Sequence, residues 1–388
     1  MLCCEVNVES RASRSYFAVV TTIFLLSYIL MASSKWTNNI FYAFIALPGL
    51  VMLVRERGAG LFEKPLTWLW LAFLMWFLVP GAVAGESQFY KHIFYTGAFV
   101  FIVAALIEPE FLRSPRFARS MFWILCAYIY GYAIYGYLTG IFAFGTRVGL
   151  LPGRLQNVIY ASIWLLCALA LVMPFWIRNR KWMEASSAIL LSLVGVAFVL
   201  QTRTALVGAA FLFALWAGYA IWRFPKYGLL GLLFGSAVLG LIIWVVSDEL
   251  WFLSLIYRGD SSRLDLYQIM IEEWLNCGLF LGCGVDFITT RTLAEGVPIQ
   301  HPHNIFVALG LYTGGVSLVL FLLLMALTLW HAWRERDAWG TFLACALVML
   351  NFDGSKLIGN PDELWPLVLL PAAAILGKVV QKRRVSHY

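Results

Sequence analysis

The chain has 388 residues, of which 62% are hydrophobic and 13% are charged, and its mean hydropathy is +0.81. Soluble domains usually have about a quarter of their residues charged. The composition therefore excludes an ordinary soluble globule, a disordered chain and a small secreted domain held together by disulfides. The formal net charge is +7, and the distribution of that charge along the chain predicts a topology.

Apolar blocks of about 16–28 residues alternate with short charged clusters, which is typical of membrane-spanning helices, because about 20 residues cross a bilayer core of about 30 Å. We predict spans near residues 16–34, 39–54, 66–84, 92–108, 120–140, 156–176, 185–201, 204–222, 227–247, 303–330, 338–353 and 364–380. The sequence thus predicts an all-α polytopic integral membrane protein with about twelve transmembrane helices in one membrane domain, residues 1–388. The first span follows a basic start and is predicted to be an uncleaved helix rather than a signal peptide.

Basic clusters occur in alternate loops between the predicted spans. They are Arg55/Arg57, Arg113/Arg116/Arg119, Arg178/Arg180/Lys181, Arg223/Lys226, Arg334/Arg336 and Lys382/Arg383/Arg384. By the positive-inside rule these loops are cytoplasmic, and both termini lie inside. The positive net charge therefore reflects membrane topology, and we expect no nucleic-acid partner.

The longest predicted loop, residues 248–302, lies on the outer face before the tenth span. Ser262 and Asp265 fit the looser form of a helix capping box. Apolar residues then recur at helical spacing, namely Leu264, Tyr267, Ile271, Trp274 and Leu275. We therefore predict an amphipathic helix near 263–276, lying on the outer membrane surface or packed against the bundle.

Two cysteines of this loop, Cys277 and Cys283, are close in sequence. An oxidising compartment would permit a disulfide between them. Because the sequence does not show the geometry that a disulfide requires, we expect two unpaired thiols in a turn-rich segment.

Arginines on the predicted outer face are candidate phosphate ligands, since arginine offers a planar fork of donors and keeps its charge at low dielectric. Arg203 lies in Gln201-Thr202-Arg203-Thr204 between two apolar spans, and Arg263 begins the loop helix. Charges at such positions usually pair or serve function, so we expect both to bind a lipid-linked phosphate or pyrophosphate. Arg147 and Arg154 flank a Gly/Pro-rich loop, which fits either phosphate binding or contact with lipid headgroups.

Other charged residues of the outer face have simpler expected roles. We expect Arg258 and Arg291 to contact anionic headgroups or to pair with outer acids. Glu272 and Glu273 are predicted to form the solvated face of the loop helix.

Histidines form the second candidate group. His301 and His303 lie in His301-Pro302-His303-Asn304, immediately before the tenth span. The unperturbed pKa of histidine, about 6.5, suits proton abstraction near neutral pH, so we predict that His303 is a general base or an orienting donor. His301 and Asn304 are then secondary contacts to substrate, although His301 also fits an ordinary loop residue.

A metal site is the alternative interpretation of the two histidines. It would need a third and a fourth ligand, for which only Asp286 and Glu295 are nearby in sequence. We therefore expect metal-independent chemistry without a cofactor, in which arginines balance the charge of a leaving phosphate.

Aromatic residues are numerous, with 17 Trp and 17 Tyr, and most fall near span ends, where an aromatic belt is expected. The better candidates for contact with sugar lie in the long outer loop. They are Trp251, Tyr257, Tyr267 and Trp274.

The order of these motifs resembles that of the bacterial O-antigen ligases and of the broader ligase/polymerase superfamily. The resemblance covers about residues 140–350, with Thr202-Arg203-Thr204, then Ser261-Ser262-Arg263 opening a loop helix, then His303-Asn304 opening the next span. It implies a GT-C-type inverting glycosyltransferase at the periplasmic face of the inner membrane, which moves polysaccharide from undecaprenyl pyrophosphate to lipid A-core. It implies essential roles for Arg203, Arg263 and His303, and it matches Arg147 and Arg154 only as basic residues of a corresponding loop.

Two other functions are compatible with the sequence. An O-antigen polymerase would use similar chemistry with a second lipid-linked glycan as acceptor. A flippase for the same lipid would carry charges midway along several spans and show internal repeats, whereas here the informative charges gather at one face. A retaining transferase would need a carboxylate pair about 5 Å apart, which the sequence does not indicate.

Overall fold

The computed structural model describes residues 2–85, 87–246, 263–293 and 298–381, and regular structure in these ranges is helical apart from isolated bridges at Leu150–Asn157 and Thr292–Pro298. The α-helices are α1 (Leu2–Leu30), α2 (Ser34–Ile40), α3 (Leu47–Arg55), α4 (Pro65–Trp76), α5 (Leu78–Ala84), α6 (Ser87–Leu106), α7 (Pro109–Leu112), α8 (Pro115–Leu138), α9 (Val158–Arg178), α10 (Trp182–Val194), α11 (Arg203–Arg223), α12 (Pro225–Val246), α13 (Arg263–Cys277), α14 (Ile305–Arg334), α15 (Ala338–Leu350) and α16 (Leu370–Gln381). Short π-helical segments adjoin some of them, at Phe41–Ala46, Gly195–Val199 and Trp365–Leu369.

Eight helical segments of the described ranges are long and apolar enough to cross a membrane: Ser34–Arg55, Pro65–Val83, Phe89–Leu106, Pro115–Leu138, Val158–Arg178, Trp182–Val199, Arg203–Arg223 and Ile305–Arg334. Four shorter apolar helices coincide with the other predicted spans: Arg14–Leu30, Gly228–Ala237, Ala338–Leu350 and Trp365–Gln381. The all-helical architecture is confirmed, and the candidate spans are consistent with a polytopic membrane protein. Twelve crossings and a GT-C fold stay predictions.

The centre of the bundle is α9, whose side chains are buried along most of its length. It is apolar on all sides, as expected for a helix enclosed by other helices, and it packs against α8, α10, α11 and α15. Ser162 of α9 accepts a hydrogen bond from Thr202 over 2.9 Å. This bond fixes the junction that carries Arg203 to the core of the bundle.

The helix α14, the longest of the eight candidate spans in the described ranges, is broken at Gly314, where φ is 85° and ψ is 168°. The break releases backbone groups from the helix, and the loop after α13 binds them: the Cys283 amide donates to the Leu311 carbonyl over 2.6 Å, and the Gly315 amide donates to the Leu279 carbonyl over 2.8 Å. Buried backbone groups need hydrogen-bond partners, and the loop supplies them. The docked loop therefore makes this break sustainable.

A disulfide joins Cys277 to Cys283 and closes that loop, with the two Cα atoms 4.9 Å apart. The expectation of two unpaired thiols was therefore wrong. The sulfurs meet because Gly278 and Gly282 have positive φ angles of 128° and 72°, which turn the chain back toward the end of α13. We refer to residues 277–283 as the disulfide loop.

Gly314 lies directly against the disulfide loop. A Cβ atom at Gly314 would lie 1.7 Å from the Phe280 carbonyl oxygen. Its left-handed φ angle also disfavours any residue with a side chain. Only glycine satisfies both conditions, so the loop and the broken helix depend on each other.

Candidate active site

The candidate active site is built around His303, which lies two residues before the start of α14. Its φ angle of 51° lies in the left-handed region that residues other than glycine seldom adopt. The Nδ1 atom of His303 lies 2.8 Å from Oδ1 of Asp353. Asp353 is 2% exposed, whereas the His303 side chain is 39% exposed, so a buried carboxylate orients an imidazole that stays accessible.

This contact also favours one tautomer of His303. A carboxylate bonded at Nδ1 favours the proton on that nitrogen and leaves Nε2 as the acceptor.

The approach of Asp353 depends on the neighbouring Gly354, because a Cβ atom there would lie 2.5 Å from the backbone nitrogen of Ile305. The chain after α15 can therefore reach the first turn of α14.

His301 lies beside His303, with the ring centroids 3.9 Å apart and the ring planes tilted by 36°. Burial lowers the pKa of His301, and the neighbouring His303 lowers it further, against an opposing effect of Asp353. Both histidines of the sequence motif thus belong to one cluster, and His301 favours its neutral form.

Asn304 joins the two helices that carry the cluster. Its Oδ1 atom accepts from the backbone amides of Phe306 and Val307, over 2.9 and 3.1 Å, and so caps α14. Its Nδ2 atom donates to Oδ1 of Asn351 over 2.8 Å, and the residue is 6% exposed. The geometry gives Asn304 a positioning role rather than an open surface for substrate.

Tyr267 connects α13 to the same cluster. Its hydroxyl group donates to the Asn351 carbonyl over 3.0 Å and lies 3.4 Å from the His303 carbonyl oxygen. Burial raises the pKa of Tyr267, against an opposing effect of the Arg263 charge, so the phenol keeps its proton at neutral pH. One turn earlier on α13, Nη1 of Arg263 donates to Oγ1 of Thr204 over 3.3 Å, which brings together the two arginine-bearing helix starts.

Arg203 begins α11 and is half-buried, directly after a sharp turn in which Gln201 has a φ angle of 45°. The loop with Arg147 docks on this turn. Nε of Arg147 donates to the Leu200 carbonyl over 3.0 Å, and the Gln201 side chain donates to the Gly145 carbonyl over 2.9 Å. The structure therefore brings Arg147 to the Arg203 junction.

Arg154 belongs to a different group of residues. Its Nη2 atom donates to the Pro361 carbonyl over 2.6 Å, and its guanidinium lies 5.8 Å from the centroid of the Tyr28 ring. The adjacent Asp362 has its pKa raised to about 8 by burial and by Glu363, against an opposing effect of Arg154. The contacts of Arg154 are thus made with the last loop and the end of α1.

Trp274, a candidate sugar contact, lies against α14 instead. A Cβ atom at Gly310 would be 2.4 Å from its ring, and its indole nitrogen donates to the Leu279 carbonyl over 3.1 Å. These contacts fasten α13 and the disulfide loop to α14. The other loop candidates, Trp251 and Tyr257, lie outside the described residues.

Arg291 takes the simple role expected for it. Its guanidinium pairs with Glu272 over 2.7 Å and with Glu273 over 3.0 Å. The hydrogen bond from Arg291 is also the main cause of the lowered pKa of Glu272. The two glutamates therefore do not form a purely solvated face. Arg258 lies outside the described residues.

Three side chains of the cluster could hold a metal ion, because donor atoms of His301, His303 and Asp353 all lie within 4.8 Å of one another. The sequence had suggested Asp286 or Glu295 as a third ligand. Asp286 instead lies 3.9 Å from Nζ of Lys356, and Glu295 is outside the described residues.

Sequence reasoning missed Asp353 and Asn351 as members of the site. Both follow α15 and are about fifty residues from His303 in sequence, so no local pattern links them. The available signal was a carboxylate placed just beyond an apolar helix, since ionisable groups at such positions often serve function.

The fold and the site together define a polytopic helical membrane protein in which a histidine, a buried carboxylate and arginines gather at helix ends. No family model matches the chain. A curated protein of Pseudomonas aeruginosa strain PAO1, named O-antigen ligase, is 27% identical to it over 230 residues. The matched part is 55% of this chain and 53% of the relative, so the chain spans about half the length of that protein. The chain is similar to this ligase at low identity.

Proposed function

We propose that the protein is a membrane glycosyltransferase of the O-antigen ligase type. It transfers O-antigen polysaccharide from undecaprenyl pyrophosphate to lipid A-core, with inversion of configuration and without a metal ion. The observation that carries the proposal is the accessible imidazole of His303 held by buried Asp353. The likeness to a relative named O-antigen ligase supports the same function.

The proposed reaction is a single displacement. A hydroxyl oxygen of the acceptor sugar attacks the anomeric carbon of the donor while His303 accepts the hydroxyl proton, and the bond from that carbon to the pyrophosphate oxygen breaks. Arg203 and Arg263 balance the charge of the leaving pyrophosphate, with Arg147, which docks at the Arg203 junction, as a further phosphate contact. His303 then releases its proton to water, which restores the starting state.

Asp353 is a positioning residue in this mechanism. Its carboxylate holds the His303 tautomer whose Nε2 atom accepts a proton, and it stabilises the imidazolium that forms. The bonds from Asn304 and Tyr267 to Asn351 keep α13, α14 and the end of α15 at fixed separation. Fixed geometry of this kind lowers the entropic cost of bringing the reacting groups together.

The proposed location is the bacterial inner membrane, with both termini in the cytoplasm and the site facing the periplasm. The predicted basic loops support this orientation through the positive-inside rule. The partners are the lipid-linked donor, the lipid A-core acceptor and the surrounding membrane lipids.

The decisive variant is His303→Ala. Loss of a general base typically lowers the rate by about 10²–10⁴-fold, so transfer should fall to background in lipopolysaccharide gels while the protein still purifies folded in detergent. His331→Ala is the matched control, since His331 lies in the last turn of α14, at its other end. Normal lipopolysaccharide ladders from His303→Ala would exclude the proposed base.

The phosphate ligands are tested by replacing Arg203 or Arg263 with Lys. Transfer should fall well below that of the parent protein in both variants, because Lys lacks the bidentate fork of Arg. Full activity of either Lys variant would mean that a simple positive charge suffices.

A knockout strain separates the proposed ligase from its rivals. A missing ligase leaves bare core and accumulates polymer on the lipid carrier. A missing polymerase leaves core with one repeat, and a missing flippase retains single repeats on the cytoplasmic leaflet. Chelators should leave transfer by the purified protein intact, and a loss that added metal restores would contradict the metal-independent mechanism.

A further inference from the structure

The cluster around His303 contains a set of donors that the proposed reaction uses only in part. Two imidazoles and one carboxylate, from His301, His303 and Asp353, place donor atoms within 4.8 Å of one another. Two histidines and a carboxylate are a ligand set that zinc takes in proteins, with the fourth position left to water.

Asp353 provides an independent sign of a ligand. Its Oδ1 atom contacts His303, but its Oδ2 atom is buried without a hydrogen-bond partner in the described part of the chain. A buried acceptor left unsatisfied is destabilising, and more so when the group is charged. A cation placed beside the two histidines would satisfy this oxygen.

The two histidine donors are accessible, and the three donor atoms are close to the separation that a metal ion requires. His301 and His303 are both half-exposed, and their rings lie side by side. A tetrahedral zinc ion with ligand distances of about 2.0–2.2 Å needs donor atoms roughly 3.4 Å apart. A closure of about 1–1.5 Å, within reach of side-chain rotation, would therefore complete the site.

We propose that His301, His303 and Asp353 bind a divalent transition-metal ion of the zinc type, and that the bound ion inhibits transfer. Inhibition rests on the proposed function, because an ion shared with Asp353 binds His303 at Nδ1, the nitrogen that faces the carboxylate. A neutral imidazole ligated at Nδ1 carries its proton on Nε2, so Nε2 then has no lone pair to accept the proton of the acceptor hydroxyl. Binding itself depends only on the three ligands. The inference adds a reversible regulatory ligand to the proposed active site.

The test is a titration of the purified full-length protein in detergent with Zn²⁺ and with Co²⁺. Cys3 and Cys4 are further soft ligands, so the measurements are made in the Cys3→Ser/Cys4→Ser background. Calorimetry should give one Zn²⁺ site per chain, Co²⁺ should develop the visible absorption of a tetrahedral site, and transfer should fall as the site fills. A chelator should restore transfer.

His301→Ala identifies the site. Loss of one ligand should weaken Zn²⁺ binding at least tenfold. The half-inhibitory Zn²⁺ concentration, measured relative to the variant's own activity without metal, should rise by the same factor. His331→Ala is the control and should change neither value. Absence of a Zn²⁺ site that depends on His301 overturns the inference, and so does binding without inhibition. If the parent protein binds no Zn²⁺ while His303→Ala still loses transfer, the proposed function is supported and the metal-binding inference is wrong.

Discussion

Two aspartates mark the two ends of α15, and their partners differ in kind. At its start, Asp337 accepts from Nε of Arg113 over 2.8 Å and caps the Trp339 amide over 3.2 Å. The Arg113 and Asp337 side chains are 12% and 1% exposed. Beyond its end, Asp353 has one bonded oxygen and one oxygen without a partner among the described residues, and it holds a histidine that is 39% exposed.

The comparison separates a structural pair from a candidate catalytic pair. Arg113 also donates to the carbonyls of Pro109 and Ala374, so the Asp337 pair is enclosed and has its hydrogen bonds satisfied. The Asp353 pair has an accessible imidazole ring and, among the described residues, a carboxylate oxygen without a partner. This buried oxygen lowers the stability of the fold locally, so packing alone does not explain it. Such costs cluster at functional sites.

The largest expected effect is on the rate of transfer, and it comes from Asp353→Asn. The amide keeps a hydrogen bond to the ring but removes the charge that stabilises imidazolium and sets the tautomer, so transfer should fall by about 10²–10⁴-fold. The unfolding temperature should change little. An assay of purified protein with lipid-linked donor measures the rate, and activity within tenfold of the parent would remove Asp353 from the mechanism.

The second effect is on stability, at the other end of α15. Asp337→Ala leaves Arg113 buried without its counter-charge, which should cost about 3–5 kcal/mol, seen as lower yield and a lower unfolding temperature in detergent. The double variant Arg113→Leu/Asp337→Leu should recover much of the loss, since it removes both buried charges. A single variant as stable as the parent would show that this pair is not structural.

The smallest effect is expected at the pair of Arg291 with Glu272 and Glu273. The Arg291 and Glu272 side chains are 42% and 45% exposed, and exposed ion pairs contribute only about 0–1 kcal/mol. Arg291→Ala should therefore change stability and transfer very little, when measured in the same two assays. A tenfold loss of transfer would mean that this surface takes part in the reaction.

The sequence predicted the apolar helices well because length and hydrophobicity dictate them locally. It also placed His303 and Asn304 at the start of a long helix, since a polar run before an apolar block is a local signal. The His303–Asp353 contact was not predictable, because it depends on how the end of α15 meets the start of α14. Arg154 was grouped with Arg147 by its shared loop, yet that loop docks on two different parts of the bundle.

The break at Gly314 has a consequence for the order in which the protein assembles. The Leu311 carbonyl and the Gly315 amide have their partners in the disulfide loop, which is synthesised before α14. Leu311 and Gly314 are buried, and buried backbone groups need partners, so α14 reaches its final form only after the earlier loop folds back onto it. Loop and span should therefore open as one cooperative unit, and the amides of Cys283 and Gly315 should exchange with solvent deuterium at matching rates.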